Sequence, residues 1–111
     1  MIRIVMRPEA RRSAAEFADY LGCVDAKVAD RFLDALEESY DFLRRFPYSG
    51  EEWPTSDPRL QPMRCWPVKG FPNHLIFFKV EADRIDVINV LYATRDLTTF
   101  FEGGTRSPRE E

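Results

Sequence analysis

The longest apolar stretch of the chain predicts a β-hairpin in its C-terminal third. Apolar residues dominate residues 75–80 and residues 85–92, and a short polar segment, residues 81–84, separates the two runs. Within each run the side chains fall into two alternating sets, and a period of two is typical of strands. Because both sets are largely apolar, we expect the hairpin to lie in the middle of a sheet, with helices on one face and other residues over part of the second.

Two amphipathic helices are predicted upstream of this hairpin. Apolar residues recur at helical spacing from Pro8 to Leu21 and again from Ala26 to Phe46. Gly22 suits the position just after a helix, and Asp25 has the side-chain chemistry to cap the start of the next one. Since only about four residues join the two helices, we expect them to form an antiparallel helical hairpin.

Two further strands and one irregular segment complete the predicted fold. Residues Ile2–Met6 alternate in polarity, and residues Met63–Val68 have the composition of a short strand. Residues 47–62 include four prolines, which favours an irregular loop. The order of these strands and helices along the chain predicts an α+β fold in two layers. It comprises an N-terminal strand, an antiparallel helical hairpin and a three-stranded antiparallel meander, with the helices on one face of an antiparallel sheet.

The length of the chain predicts one domain followed by a tail. With 111 residues in total, residues 1–101 are expected to form a single domain. Residues 97–101 are expected to form either one helical turn or a short edge segment. Residues 102–111 are polar and are predicted to be flexible.

Charge and cysteine content narrow the classes of function. The net charge is -3 and the pI about 5.2, which argues against a protein whose main role is to bind nucleic acid. Two distant cysteines and one histidine make no metal site, and we expect no cofactor. No apolar run is long enough to cross a membrane or to serve as a signal peptide, so the cytoplasm is the expected location.

Several segments together resemble one known family. They are the opening strand followed by RPEARRSAAEFADYL, the helix ADRFLDALEESYDFLRRFPYSG with its Phe46-Pro47-x-x-Gly50 ending, Arg64-x-Trp66-Pro67-Val68, the stretch HLIFFKVEADRIDVINVLYA, and the pair Arg95-Asp96. No single segment is specific, but their joint occurrence in this order is. They cover nearly the whole chain, which resembles the ParE branch of the RelE/ParE superfamily, the toxins of bacterial type II toxin–antitoxin modules.

The resemblance implies both a partner and an activity. The partner is a small antitoxin whose flexible C-terminal segment wraps the toxin, in a hetero-oligomer that reaches operator DNA only through the antitoxin. ParE-like members are described as inhibitors of DNA gyrase that need no catalytic residue, whereas RelE-like members are ribosome-dependent mRNA endoribonucleases. A third possibility is a remnant that binds the antitoxin and has lost toxicity.

RNA cleavage by a RelE-like mechanism would need cations and a proton-transfer group at one place. The candidate catalytic residues are Arg64, His74, Tyr92 and Arg95. Each of two candidates also has a structural interpretation. His74 is alternatively an exposed turn residue without a role. Tyr92 is alternatively a residue at the end of a core strand, with its hydroxyl at the rim of the core. The acidic pI, the single histidine and the absence of a tight basic cluster near the C-terminal end favour the ParE-like activity.

Arg64 and Arg95 are also the candidates for contact with a poisoned target. For Arg64 the structural alternative is an ion pair with a carboxylate such as Asp86 or Asp96, and for Arg95 it is an ion pair or turn formed with Asp96. For the antitoxin we expect a site on exposed apolar surface, because such surface on a small domain usually marks a partner. The residues assigned to that site are Phe17, Tyr20, Phe32, Leu36 and Tyr40.

Overall fold

A five-stranded sheet carries two helices on one face in the computed structural model, which describes residues 2–93. The elements are β1 (Arg3–Met6), α1 (Pro8–Val24), α2 (Ala26–Arg45), β2 (Glu51–Trp53), a 3-10 helix (Pro58–Leu60), β3 (Met63–Val68), β4 (Phe71–Val80) and β5 (Arg84–Tyr92). The strand order across the sheet is β1-β5-β4-β3-β2. The predicted α+β architecture is therefore confirmed, and the β4–β5 hairpin lies in the middle of the sheet as its two apolar faces indicate.

Two features of the sheet differ from the sequence-based prediction. Residues Glu51–Trp53 form an additional strand that pairs antiparallel with β3 and extends the meander to four strands. β1 pairs parallel with β5, so the prediction of a purely antiparallel sheet is wrong at this edge. The direction of β1 depends on where the helical hairpin returns the chain to the sheet, and no local pattern of side chains encodes that.

Asp25 separates the two helices and caps both of them. Its backbone is extended, its N–H donates to the carbonyl of Leu21, and its carboxylate accepts from the N–H of Lys27 at 2.9 Å. One residue therefore ends α1 and begins α2. The predicted end of α1 at Leu21 is too early, because the helix continues through Gly22 to Val24.

Hydrophobic side chains pack on both faces of the sheet. The larger cluster joins the helices to the sheet, with Phe32, Leu43, Ile76 and Phe78 fully buried at its centre. The smaller cluster lies on the other face. It contains Met63, Cys65, Phe77 and Ile88, with Trp53, Leu60, Leu75, Leu91 and Ala93 packed against it. The second face is thus partly covered by the segment around the 3-10 helix, as predicted.

Neither a membrane span nor a metal site is found in the part of the chain that the structure describes. None of its helices has the length and apolarity needed to cross a bilayer. No group of three His, Cys, Asp or Glu side chains within residues 2–93 is arranged to hold a metal ion.

Candidate functional site

A groove opens between the C-terminal half of α1 and the end of the β4–β5 hairpin. We call it the α1 groove, and its volume is about 660 Å³. The lining residues are Glu16, Phe17, Tyr20, Leu21, His74 and Tyr92. Tyr20 and Tyr92 are 71% and 47% exposed. The fold therefore brings together four residues that the sequence assigned to two separate roles, namely Phe17, Tyr20, His74 and Tyr92.

His74 forms the floor of the α1 groove and is buried, so its interpretation as an exposed turn residue is wrong. It lies in β4 directly opposite Tyr92 of β5. Among the described residues, four aromatic rings neighbour this imidazole, all in edge-to-face geometry. The centroid distances are 4.8 Å to Phe17, 5.0 Å to Phe32, 5.1 Å to Tyr92 and 6.0 Å to Phe71.

The burial of His74 follows from the short turn that precedes β4. Only Lys69 and Gly70 separate β3 from β4, and Gly70 adopts a positive φ of 80°, which glycine accepts without steric cost. The N–H of Lys69 donates to the hydroxyl of Ser39 at 3.1 Å, so the turn is held against α2. β4 consequently begins at Phe71, and His74 lies within the strand under the helices.

The imidazole of His74 is neutral near physiological pH. Burial lowers the pKa of His74 from the ordinary value of 6.5, because the charged form loses hydration among the aromatic rings. No hydrogen bond to this imidazole is found within residues 2–93, although the side chain lines an open groove. The groove therefore presents one neutral donor–acceptor group in an apolar floor.

Arg64 organises the chain segment that follows α2. Its guanidinium donates to the carbonyl of Gly50 at 2.6 Å and to that of Tyr48 at 3.3 Å, and it approaches Glu52 at 3.6 Å. It also lies 5.2 Å from the centre of the Tyr48 ring, in cation–π geometry. The side chain is only 18% exposed, so most of its hydrogen-bonding capacity is directed into the protein.

Asp86, one of the two carboxylates proposed as partners of Arg64, pairs with a different arginine. Asp86 binds Arg7 through two hydrogen bonds of 2.9 and 3.2 Å, and the expected Arg64–Asp86 pair is not formed. These hydrogen bonds to Asp86 are also the main cause that raises the pKa of Arg7. The second proposed partner, Asp96, and the candidate Arg95 lie outside the described residues.

Arg64 lies too far from His74 and Tyr92 to form one catalytic site with them. It pairs across the sheet with Phe78, which is four residues from His74 along β4. Strand geometry separates those two positions by about 13 Å. Of the candidate catalytic residues that the structure describes, only His74 and Tyr92 are in contact.

Three of the five residues assigned to antitoxin binding are in the core. Phe32, Leu36 and Tyr40 are 0%, 4% and 4% exposed, so their assignment to an exposed surface is wrong. They follow one another at four-residue intervals and form the centre of the stripe that α2 buries against the sheet. Phe17 and Tyr20 lie at the groove, where a partner can reach them.

A second exposed surface, the α2-end surface, consists of Phe46 and Tyr48 and the stacked pair Phe42 and Trp66. Phe46 and Tyr48 are 53% and 67% exposed. The Phe42 and Trp66 rings stack with centroids 5.0 Å apart and planes at 14°. None of these four aromatic residues was among the site residues predicted from the sequence. The Phe46-Pro47-x-x-Gly50 segment was the signal in the sequence that could have indicated this surface, because it places aromatic residues where α2 ends.

Comparisons with known proteins identify one family by its model and one solved structure with a similar fold. The model of the family described as "ParE toxin of type II toxin-antitoxin system, parDE" matches residues 4–97. Among solved structures, the chain is similar to one titled "Chromosomal ParDE TA system from P. aeruginosa". The TM-score is 0.67 at 15% sequence identity, over 85% of this chain and 98% of that one. At this identity the likeness concerns the fold. No curated protein sequence matches significantly.

Proposed function

This chain belongs to the ParE toxin family of type II toxin–antitoxin systems, and from that premise we propose that it inhibits a DNA gyrase-type topoisomerase in the cytoplasm. A cognate antitoxin binds the toxin and neutralises it, and the resulting hetero-oligomer reaches operator DNA through the antitoxin alone. In this proposal the free toxin acts by binding its target and not by catalysis.

One observation carries the choice of a binding inhibitor over a nuclease, namely the distance between Arg64 and the His74–Tyr92 pair. RNA cleavage requires a cation close to the groups that transfer protons, because charge and protons move together in the transition state. Among the described residues that line the α1 groove there is no Lys or Arg, and Arg64 is about 13 Å away along the sheet. Arg64 is also occupied by two backbone carbonyls.

The proposed contact with the target is the α2-end surface. Arg64 binds the backbone on both sides of Ser49 and lies over the Tyr48 ring, so it holds Tyr48 in one orientation at the surface. Aromatic residues with a neighbouring Arg are typical of the residues that dominate binding energy in protein interfaces. Arg64 therefore contributes by positioning Tyr48. Arg95, which lies outside the described residues, remains a second proposed contact on sequence grounds.

An mRNA endoribonuclease activity is the alternative, and the contact between His74 and Tyr92 favours it. These two residues line an open groove side by side, and both are able to transfer protons. Such an activity would require a cation from the substrate, the ribosome or Arg95, because the described lining of the groove, within residues 2–93, contains none.

Two assays on the purified chain separate these functions. We expect the protein to inhibit DNA supercoiling by gyrase, and we expect an equimolar amount of the antitoxin encoded beside it to restore supercoiling. In a translating extract we expect transcripts to stay intact. Cleaved transcripts without gyrase inhibition would establish the nuclease instead. If the protein is soluble but inactive in both assays, and its expression leaves growth normal, the chain is a remnant without toxicity.

A variant of Tyr48 tests the proposed target surface. Tyr48→Ala should weaken gyrase inhibition by about tenfold or more, the size of effect expected for an aromatic residue at the centre of an interface. Leu33→Ala is the matched control, because it removes another exposed apolar side chain from the outer side of α2. Equal inhibition by both variants and the unmodified protein would place the target contact elsewhere.

A further inference from the structure

A second groove, the α2 groove, lies between the C-terminal half of α2 and the turn that joins β3 to β4. Its volume is about 560 Å³, which is enough to enclose several side chains. The stacked rings of Phe42 and Trp66 line it, and these two rings also belong to the α2-end surface. The α2 groove therefore continues the surface that is proposed to contact the target.

The two sides of the α2 groove are held at a constant separation by Ser39. The buried hydroxyl of Ser39 donates to the carbonyl of Ala35 at 2.8 Å and accepts from the N–H of Lys69 at 3.1 Å. The first hydrogen bond stays within α2, and the second reaches the turn between β3 and β4. A groove whose sides are already fixed loses little conformational entropy when a partner binds.

The strand side of the α2 groove is unsuited to the addition of another strand. β2 pairs with Met63–Cys65, so that in the part of the chain that the structure describes residues 66–68 of β3 form an unpaired edge. Pro67 lies within this edge and Pro72 near the start of β4, and both line the groove. Neither proline has an N–H to donate to an added strand. A partner therefore binds here through its side chains and not by extending the sheet.

One uncompensated positive charge lines the α2 groove. Glu38 pairs with Lys69 at 3.3 Å. Asp41 pairs with Arg44. Arg45 is exposed and lines the groove, and no ion pair to its guanidinium is found within residues 2–93. Since the end of a helix carries only about half of a negative charge, the groove is net positive beside its aromatic rings.

We propose that the α2 groove binds a segment of the target topoisomerase that carries an aromatic or branched aliphatic side chain beside an Asp or Glu. The apolar side chain packs on Phe42 and Trp66, and the carboxylate pairs with Arg45. DNA fits this groove less well, because its closely spaced phosphates would meet the carboxylates of Glu38 and Asp41 in the lining. This inference rests on the proposed function, because the topoisomerase supplies the segment.

Supercoiling by gyrase at increasing toxin concentration tests the charge pair, with the concentration that gives half-inhibition as the measure. Arg45→Gln should raise this concentration by about three- to tenfold, and Arg45→Glu by about tenfold or more, because attraction to a carboxylate is lost or becomes repulsion. The effect of Arg45→Gln should be smaller at high salt, which screens the pair in the unmodified protein. Arg31→Gln and Arg31→Glu make the same changes at an exposed position nearer the start of α2, and they should inhibit within about twofold of the unmodified toxin.

Variants of Trp66 test the apolar part of the groove in the same assay. Trp66→Ala should raise the half-inhibitory concentration by about tenfold or more, whereas Trp66→Phe keeps a ring beside Phe42 and should stay within about threefold. Urea denaturation followed by circular dichroism shows whether each variant is folded, which separates lost binding from lost stability. If Trp66→Ala does not fold, the Arg45 variants decide, because they change an exposed side chain.

Photocrosslinking then identifies the segment that enters the groove. The photoreactive residue p-benzoylphenylalanine replaces Phe46, whose ring lies 5.1 Å from that of Phe42. We expect a crosslink to a gyrase segment with a carboxylate, and replacement of that carboxylate by Lys should restore inhibition by Arg45→Glu. A crosslink to DNA, or to a gyrase segment without Asp or Glu, would overturn the inference.

The outcomes for the α2 groove and for the proposed function are distinguishable. If the unmodified toxin inhibits gyrase and the Arg45 variants inhibit equally well, the groove is not the contact and the proposed function stands. If the unmodified toxin leaves supercoiling unchanged, the proposed function fails and the inference with it.

Discussion

Arg64 joins two separate segments of the chain through one guanidinium group. It lies on β3, yet its partners are the carbonyls of Tyr48 and Gly50 and the carboxylate of Glu52. Each of these groups belongs to the segment that leads from α2 into β2. The residue therefore determines both the stability of this connection and the orientation of the exposed Tyr48 ring.

Replacement of Arg64 tests its contribution to the stability of this connection. Arg64→Ala leaves two carbonyls without their donor, and we expect the free energy of unfolding to fall by about 1–3 kcal/mol. Arg45→Ala removes an exposed guanidinium from the last turn of α2 and should change it by less than about 0.5 kcal/mol. Urea denaturation followed by circular dichroism measures both values. An Arg64→Ala protein as stable as the unmodified chain would mean that water replaces the guanidinium at no cost.

The buried imidazole of His74 predicts a dependence of stability on pH. Its pKa in the folded protein lies below the ordinary 6.5, so between these two values the unfolded chain binds more protons than the folded one. Its stabilising contribution is present above about pH 6.5 and is lost as pH falls from there toward the pKa of the folded state. His74→Phe keeps an aromatic ring in the cluster and should remove this dependence.

Urea midpoints between pH 5 and 7.5 measure the effect of His74. It is the only histidine in the sequence, so no other imidazole contributes over this range. The midpoint of the unmodified protein should fall with decreasing pH, while that of His74→Phe should fall distinctly less. Parallel curves for the two proteins would show that His74 is as well hydrated in the folded state as in the unfolded one.

The residue types in the sequence identified candidate site residues, but they did not predict which other residues each candidate contacts in the fold. His74 and Tyr92 were both candidates, and their contact depends on the register of β4 against β5. The burial of His74 also depends on Phe17 and Phe32, which are distant in sequence. Two partners of Arg64 are backbone carbonyls, which residue types do not predict, and its carboxylate partner is Glu52. The prediction of Asp86 as its partner was therefore wrong.

At the scale of elements, the connection between α2 and β2 depends on a close approach at Gly50. A Cβ at this position would lie 2.8 Å from Cζ of Phe78 and 2.9 Å from the carbonyl oxygen of Cys65. The carbonyl belongs to the backbone of β3, and Phe78 is fully buried, so neither group has room to move. Only glycine allows the chain to enter β2 at this distance from the sheet.

Alanine substitutions at Gly50 and Gly22 should have opposite effects. Gly50→Ala introduces a clash and should lower the free energy of unfolding by about 1–3 kcal/mol. Gly22→Ala should raise it by about 0.5–1 kcal/mol, because Gly22 is helical and a Cβ there would make an ordinary contact of 3.5 Å with Ala29. Thermal or urea unfolding of both variants gives the comparison. Stabilisation by both substitutions would mean that β3 shifts to accommodate the new methyl group.

The accuracy of the predicted elements follows from the strength of their local patterns. β3 was predicted with the bounds that the structure has, and the two long helices were predicted within a few residues. β2 was missed because it has only three residues and two of them are glutamates, which are uncommon in strands. Its existence depends on pairing with β3 and on the anchor that Arg64 provides, and both are tertiary effects.

At the scale of the whole molecule, β1 connects the beginning of the chain to the last strand of the sheet. Its residues pair in parallel with the first half of β5, and Ile4 and Met6 pack against the cluster beneath the helices. Arg7 then binds Asp86 of β5 at the start of α1. The N-terminal segment is therefore part of the core, although it has only four residues in the strand.

Two truncations should accordingly have very different consequences. Removal of residues 2–6 exposes the edge of β5 and takes apolar side chains from the core, so we expect the shortened chain not to fold cooperatively. Removal of residues 102–111, which the sequence predicts to be a polar tail, should change the free energy of unfolding by less than about 0.5 kcal/mol. Circular dichroism during urea denaturation distinguishes the two results. A cooperative transition without residues 2–6 would show that the helices and strands β2 to β5 suffice for folding. A marked loss of stability without residues 102–111 would instead extend the domain beyond residue 101.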